Sequence, residues 1–165
     1  ALADYNKAIA LDPNYFDAYF NRAINYSIRK EFELALLDYS KAISLQPINS
    51  NIYLNRAYAY IDARQYENAV IDCQKVLNIN PKSEMAWFYM GLAYQHHMKL
   101  TDAINCYSNT LQLNTRNPNA YYNRSIANKE MGRISQALQD ALAAQQLNYQ
   151  VPESYLYELK SQLNE

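Results

Sequence analysis

The sequence predicts an all-α protein made of antiparallel helical hairpins, and three observations carry that expectation. The 165 residues include only two Gly and five Pro, while Ala, Leu, Tyr, Asn and Gln abound, which favours helices and leaves little material for tight β-turns. Aromatic residues recur with a period of 34: Tyr19, Tyr53, Trp87 and Tyr121. Proline closes successive units at Pro13, Pro47 and Pro81, where it ends a helix and redirects the chain.

Each unit reads as two helices. Four residues after each repeated aromatic stands a small residue, Ala23, Ala57, Gly91 or Ser125, and three further on come Tyr26, Tyr60, Tyr94 and Asn128. That is helical spacing. A second helix carries Ala35, Ala69, Ala103 and Ala137, followed four residues later by Tyr39, Cys73, Tyr107 and Ala141. Small residues at these places allow neighbouring helices to approach and share one core, because a hairpin this short cannot bury its apolar faces alone. At the fourth junction Thr115 replaces proline, and Asn117-Pro118 supplies an N-cap with proline at the first helical position. Pro152 is expected to start the last helix in the same way.

The expected organisation is a single array. Residues 1–15 hold the second helix of a truncated repeat, 16–49, 50–83, 84–117 and 118–151 are full repeats, and 152–165 form a polar C-terminal capping helix. Ala1, Tyr5 and Ala8 are core-type residues without a first helix of their own, so the array is expected to extend upstream.

Composition narrows function. Fifteen basic against sixteen acidic residues leave a net charge of −1, which provides no global field for nucleic acid or an anionic membrane. No apolar run approaches the roughly 20 residues needed to insert directly in a bilayer. Cys73 and Cys106 lie 33 residues apart without metal-ligand spacing and read as packed thiols. His96 and His97 have no acidic partner four residues on and no nucleophile at a motif spacing. No cofactor, metal or catalytic residue is expected, and the chain reads as a non-enzyme; a cytoplasmic setting is slightly favoured.

The pattern W/Y-x2-(Leu or other)-G/A-x2-Y, then A-x3-Y, then a terminal Pro every 34 residues resembles the tetratricopeptide-repeat (TPR) family over the whole chain. The resemblance implies a right-handed solenoid whose first helices line a concave groove. Carried onto this chain, the groove-facing places hold Asn21, Asn55, Tyr89 and Asn123, with Asn51 and Asn119 one turn earlier. Phe20, Tyr58, Phe88 and Tyr122 stand beside them. An Asn side chain both donates and accepts, so repeated Asn can hold the backbone of an extended peptide whatever its side chains. This is similar to the asparagine ladder of the TPR domain of O-linked N-acetylglucosamine transferases, with Tyr89 interrupting it. The opposite reading keeps these amides on local helix backbone. The chain also resembles the co-chaperones that clamp acidic C-terminal tails, but Phe20, Ile24, Met85 and Tyr89 replace clamp residues, and apolar side chains in place of cations cannot hold a carboxylate.

Arg22, Arg56 and Arg124 recur together with Asp38, Asp72 and Asp140 sixteen residues later, whereas the third unit has Met90 and Cys106. Cation and anion are lost together, as a pairing across each hairpin requires, because one buried charge left alone is costly. Anion binding by the arginines is the competing reading.

The expected partner is therefore a protein or peptide of unknown identity, held by a scaffold or adaptor. Two alternatives belong to other classes: the docking region of a larger enzyme such as a glycosyltransferase, and an array that self-associates end to end.

Overall fold

The structure, a computed structural model, describes residues 1–163. Asn164 and Glu165, the last two positions of the expected capping helix, lie outside the described residues. Among the described residues there are ten helices and no strand. They divide into two compact units, Ala1–Ala86 and Trp87–Glu165.

The first unit contains α1 (Leu2–Leu11), α2 (Phe16–Ile28), α3 (Phe32–Leu45), α4 (Ser50–Asp62) and α5 (Tyr66–Ile79). Its core joins Ala23, Ala35, Tyr39, Ala42, Ile52 and Ala59, with Phe16, Tyr19, Phe20 and Ile24 packed against it. The alanines are fully buried because only a methyl group fits where helix backbones approach this closely. The second unit contains most of α6 (Glu84–His96), then α7 (Leu100–Leu113), α8 (Pro118–Glu130), α9 (Ile134–Gln146) and α10 (Glu153–Gln162). Ala137, Ala141 and Ala144 of α9 pack with Val151, Leu156 and Leu159, so α10 closes one side of that core while Tyr157 points to solvent.

The turn inside each hairpin follows one recipe. Lys30, Arg64, Met98 and Gly132 have φ near +60 to +70°, and the next residue's N–H returns to a carbonyl five residues back, as Glu31 does to Tyr26 at 2.9 Å and Arg133 to Asn128 at 2.9 Å. This arrangement satisfies the orphan carbonyls at the helix end. Only the fourth turn uses glycine for the left-handed residue. Between hairpins, Asp12, Asn80 and Asn114 are extended and Gln46 lies close by with ψ 75°, outside the helical region that a following proline disfavours. Asn114 keeps this geometry although Thr115 follows it.

Helix starts agree with the sequence at Pro118, which is the first residue of α8, while Asn117 accepts the Ala120 N–H at 2.9 Å. Pro152 differs: it occupies the N-cap of α10, with ψ 131°, and the helix begins at Glu153. Its backbone is extended because Val151 turns inward to a buried position, which sets the entry angle one residue later than expected.

Candidate functional site

The three Arg–Asp pairs form as the sequence anticipates. Nε and Nη2 of Arg22 donate to the two oxygens of Asp38 at 2.6 and 2.8 Å, and Arg56–Asp72 and Arg124–Asp140 repeat the same fork at 2.7 to 2.8 Å. The Asp side chains are 2 to 8% exposed. Each guanidinium also uses Nη1 to reach back to the preceding second helix, donating to Asn6, Ser40 or Ser108. Tyrosines complete the setting: Arg22 lies over Tyr19 and Tyr26, Arg56 over Tyr53 and Tyr60, and Arg124 over Tyr121. The hydrogen bond to Asp38 holds the Arg22 proton more tightly than usual. With three nitrogens and a ring face engaged, these cations staple helices and are not available as an anion site. The third partner went unnoticed in the sequence, although a polar residue sixteen positions before each Arg marks it.

The predicted peptide-contacting residues fall on two sets of first-helix faces. In the first unit, Phe20 and Asn21 lie on α2 and Asn51, Asn55 and Tyr58 on α4. Asn21 Nδ2 donates to the Asp17 carbonyl at 2.8 Å and Asn55 Nδ2 to the Asn51 carbonyl at 2.8 Å. In the second unit, Asn123 Nδ2 donates to the Asn119 carbonyl at 2.9 Å. The local-backbone reading thus accounts for one N–H of each amide. The carbonyl oxygen and second N–H of Asn21, Asn55 and Asn123 make no bond within the described residues, so all three side chains are held in one orientation with their acceptor uncommitted.

The aromatics differ among themselves. Phe20 stacks on Phe16 at 5.6 Å and meets Tyr39 edge-on, Phe88 packs against Tyr89 and Tyr107, and Tyr122 lies 4.7 Å from Tyr149. These three are half-buried parts of the packing that show one side to solvent. Tyr58 is 45% exposed, the most open of the four. Beside it a cavity of about 330 Å³ opens, lined by Ile24, Ser27, Tyr39, Asn55 and Tyr58, with Lys30 and Asp62 at its more exposed end. Sequence reasoning missed this cavity, because it depends on which side-chain sizes face each other across a hairpin. A second cavity, of about 480 Å³, lies over the Arg124–Asp140 pair and has a mixed lining that includes Ser108, Asn128, Arg133 and Gln136 beside Ile104 and Ala143.

The remaining chemistry is quiet. Both cysteines are buried and unbridged, and burial, with a smaller contribution from Asp102, pushes the Cys106 thiol up to about 12. No group of three or more His, Cys, Asp or Glu among the described residues could hold a metal ion, and no described helix is long and apolar enough to cross a membrane.

Comparison with known proteins points to one class. A TPR repeat model matches residues 1–28, and two tetratricopeptide repeat models match residues 16–49 and 39–71. A search of curated proteins finds no match. Among solved structures, the crystal structure of MamA is 19% identical, with 89% of this chain and 86% of that chain covered and a TM-score of 0.83. YrrB, described as a TPR protein with an unusual peptide-binding site, is 19% identical over 97% of this chain and 81% of its own, with a TM-score of 0.79. The first TPR of Spaghetti (RPAP3), bound to the HSP90 peptide SRMEEVD, is 22% identical over 71% of this chain and 93% of its own, with a TM-score of 0.67. The matched repeat models lie within residues 1–71, and the chain shares its helical-hairpin fold with these TPR structures.

Proposed function

We propose that this chain is a protein-interaction scaffold, without catalysis of its own, that holds an extended peptide against its first helices. In this reading the repeats run 16–49, 50–83, 84–117 and 118–151, flanked by the half-repeat at 1–15 and the cap at 152–165. The observation that carries the proposal is the common state of Asn21, Asn55 and Asn123: same repeat position, same bond to the carbonyl four residues earlier, same uncommitted acceptor. The arrangement resembles an asparagine ladder that Tyr89 interrupts at the third of its four places. Two of the structurally similar proteins are described with peptides or a peptide-binding site, which supports this use of the fold.

Magnitudes divide the labour. Three Asn making about two hydrogen bonds each, at about 1 kcal/mol net, give roughly 6 kcal/mol, while association costs at least about 4. The amides alone hold a peptide weakly and without preference. An apolar partner side chain buried against Phe20, Tyr58, Phe88 or Tyr122 adds about 1.5 to 3 kcal/mol, so affinity and choice of partner reside in the aromatics. The test is to select displayed random peptides on the folded protein and measure their affinity for the Asn21→Ala, Asn55→Ala, Asn123→Ala triple variant. A loss of at least about tenfold is expected; unchanged affinity removes the Asn faces from the function.

End-to-end self-association rests on α1, none of whose residues is fully buried and whose Leu11 is 79% exposed. Light scattering across concentration tests it, and a strict monomer excludes it.

A further inference from the structure

In two hairpins a residue in the last turn of the first helix bonds a residue twelve positions later in the second, Ser27 with Tyr39 and Gln95 with Tyr107, and the equivalent positions elsewhere hold Ile61 with Cys73 and Lys129 with Ala141. Three of these positions have no polar group left over the second helix without a close partner. Ile61 and Cys73 are both buried and apolar. The Tyr107 hydroxyl donates to Gln95 Oε1 at 2.6 Å. Lys129 leaves its pair for Glu158, at 2.6 Å, and the Tyr155 ring. The first pair is incomplete, because Ser27 is too short to fill the space over a tyrosine. Its Oγ reaches the Tyr39 oxygen only at 3.5 Å, the far limit of a hydrogen bond, although Tyr39 is 1% exposed. The 330 Å³ cavity opens at this place.

We propose that this cavity takes a carboxamide side chain, Gln or Asn, of the bound peptide, whose oxygen accepts the Tyr39 hydroxyl proton as Gln95 accepts that of Tyr107. Other tips fit less well. An aliphatic tip satisfies the Ile24 wall but leaves the buried Tyr39 hydroxyl with only its long bond to Ser27, which forgoes a stronger one. An ionised tip would lose its hydration inside the cavity, and Lys30 and Asp62, of opposite sign, give it no net field in return. A neutral amide brings an acceptor for Tyr39 and a donor for Ser27 or Asn55 without that penalty. Burial raises the Tyr39 pKa, with the Ser27 bond acting against it, so the hydroxyl stays protonated as the proposal needs. The inference rests on the peptide-holding reading, because Asn55 and Tyr58 belong to both the cavity and the proposed contact face.

The experiment is selection of displayed random peptides on the wild-type chain, followed by fluorescence anisotropy of the tightest peptide and of its Gln→Leu or Asn→Leu analogue. Four proteins are compared: wild type, Ser27→Gln, Tyr39→Phe, and the Asn21→Ala, Asn123→Ala double variant, which leaves the cavity intact. Ser27→Gln copies the third hairpin and fills the cavity from within. Tyr39→Phe removes one oxygen and serves as the independent variant should Ser27→Gln fold poorly, with helical circular dichroism as the check. The expected result is an amide at one fixed peptide position, whose replacement weakens wild-type binding about fivefold or more and leaves binding to Ser27→Gln and Tyr39→Phe unchanged. Peptides that lack a fixed amide, or an analogue penalty that persists in both cavity variants, overturn the carboxamide site. If the double variant still loses binding in that case, the peptide-holding reading stands without it. If the double variant binds like wild type, or no peptide is selected, both readings fall.

Discussion

At the residue scale, Arg56 and Asp72 show how charge is tolerated in a small core. The Asp72 side chain is 2% exposed and both its oxygens are met by Arg56. Removing only the cation strands a buried carboxylate, so Arg56→Met should destabilise the chain by about 3 to 5 kcal/mol. The double variant Arg56→Met, Asp72→Cys copies Met90 and Cys106 of the third hairpin, both buried, and should recover most of that loss. Chemical denaturation of the two variants measures the difference; a double variant as unstable as the single would contradict the pairing account. The pairing was legible in the sequence because loss of the cation and loss of the anion coincide. The contacts of Arg Nη1 with Asn6, Ser40 and Ser108 were harder to read, since Asn and Ser at one repeat position look like ordinary solvent-facing residues.

The same scale sets a pH dependence. Burial, and then the Asp102 charge, push Cys106 up to about 12, while burial raises Tyr39, Tyr107 and Tyr155 above the usual tyrosine value. In every case the folded chain holds the proton more tightly than the unfolded one. Stability from these groups is therefore complete below the unfolded thiol value of about 8.5 and is lost as pH rises towards 12. Thermal unfolding should show a flat Tm to about pH 8 and a fall above it, smaller in Tyr39→Phe. A Tm that holds constant to pH 11 would refute this.

At the element scale, the two glycines do different work. Gly132 takes φ +72° at the end of α8, and a Cβ there would meet nothing within 4 Å. Gly91 lies inside α6, where a Cβ would come within 2.6 Å of the buried Tyr107 ring. Gly132→Ala should then cost about 1 kcal/mol from backbone conformation alone. Gly91→Ala should cost about 1 to 3 kcal/mol from overpacking, less up to about 1 kcal/mol of helix propensity. Adding Tyr107→Phe should not relieve the Gly91→Ala penalty, because the clash is with ring carbons. Denaturation midpoints distinguish the cases, and a Gly91→Ala chain more stable than wild type would show that Tyr107 can move freely. The sequence revealed the helix order and most ends, since prolines and small residues mark them. It misplaced the role of Pro152 by one position, because entry into α10 is set by the burial of Val151, a tertiary effect.

At the scale of the whole molecule, the 34-residue period made the hairpin architecture readable from aromatic and alanine spacing. The binding faces were legible in part. Asn21, Asn55 and Asn123 could be placed by repeat position, yet their back-bonds to the preceding turn depend on rotamers that spacing does not specify. Phe20, Phe88 and Tyr122 looked equivalent to Tyr58 in the sequence; packing against neighbouring rings separates them, so their replacement by Ala should lower stability as well as affinity, whereas Tyr58→Ala should affect affinity first. The cavity over Tyr39 follows from a mismatch of sizes within one hairpin and emerges only when the four pairs are compared.

The most direct test of the central claim is a titration of the isotope-labelled chain with a selected peptide, followed by amide chemical shifts in solution. The account predicts that the shifts concentrate on α2, α4 and α8, including the side-chain amides of Asn21, Asn55 and Asn123. Perturbations confined to α3, α5 and α9, with those side-chain amides unmoved, would contradict it.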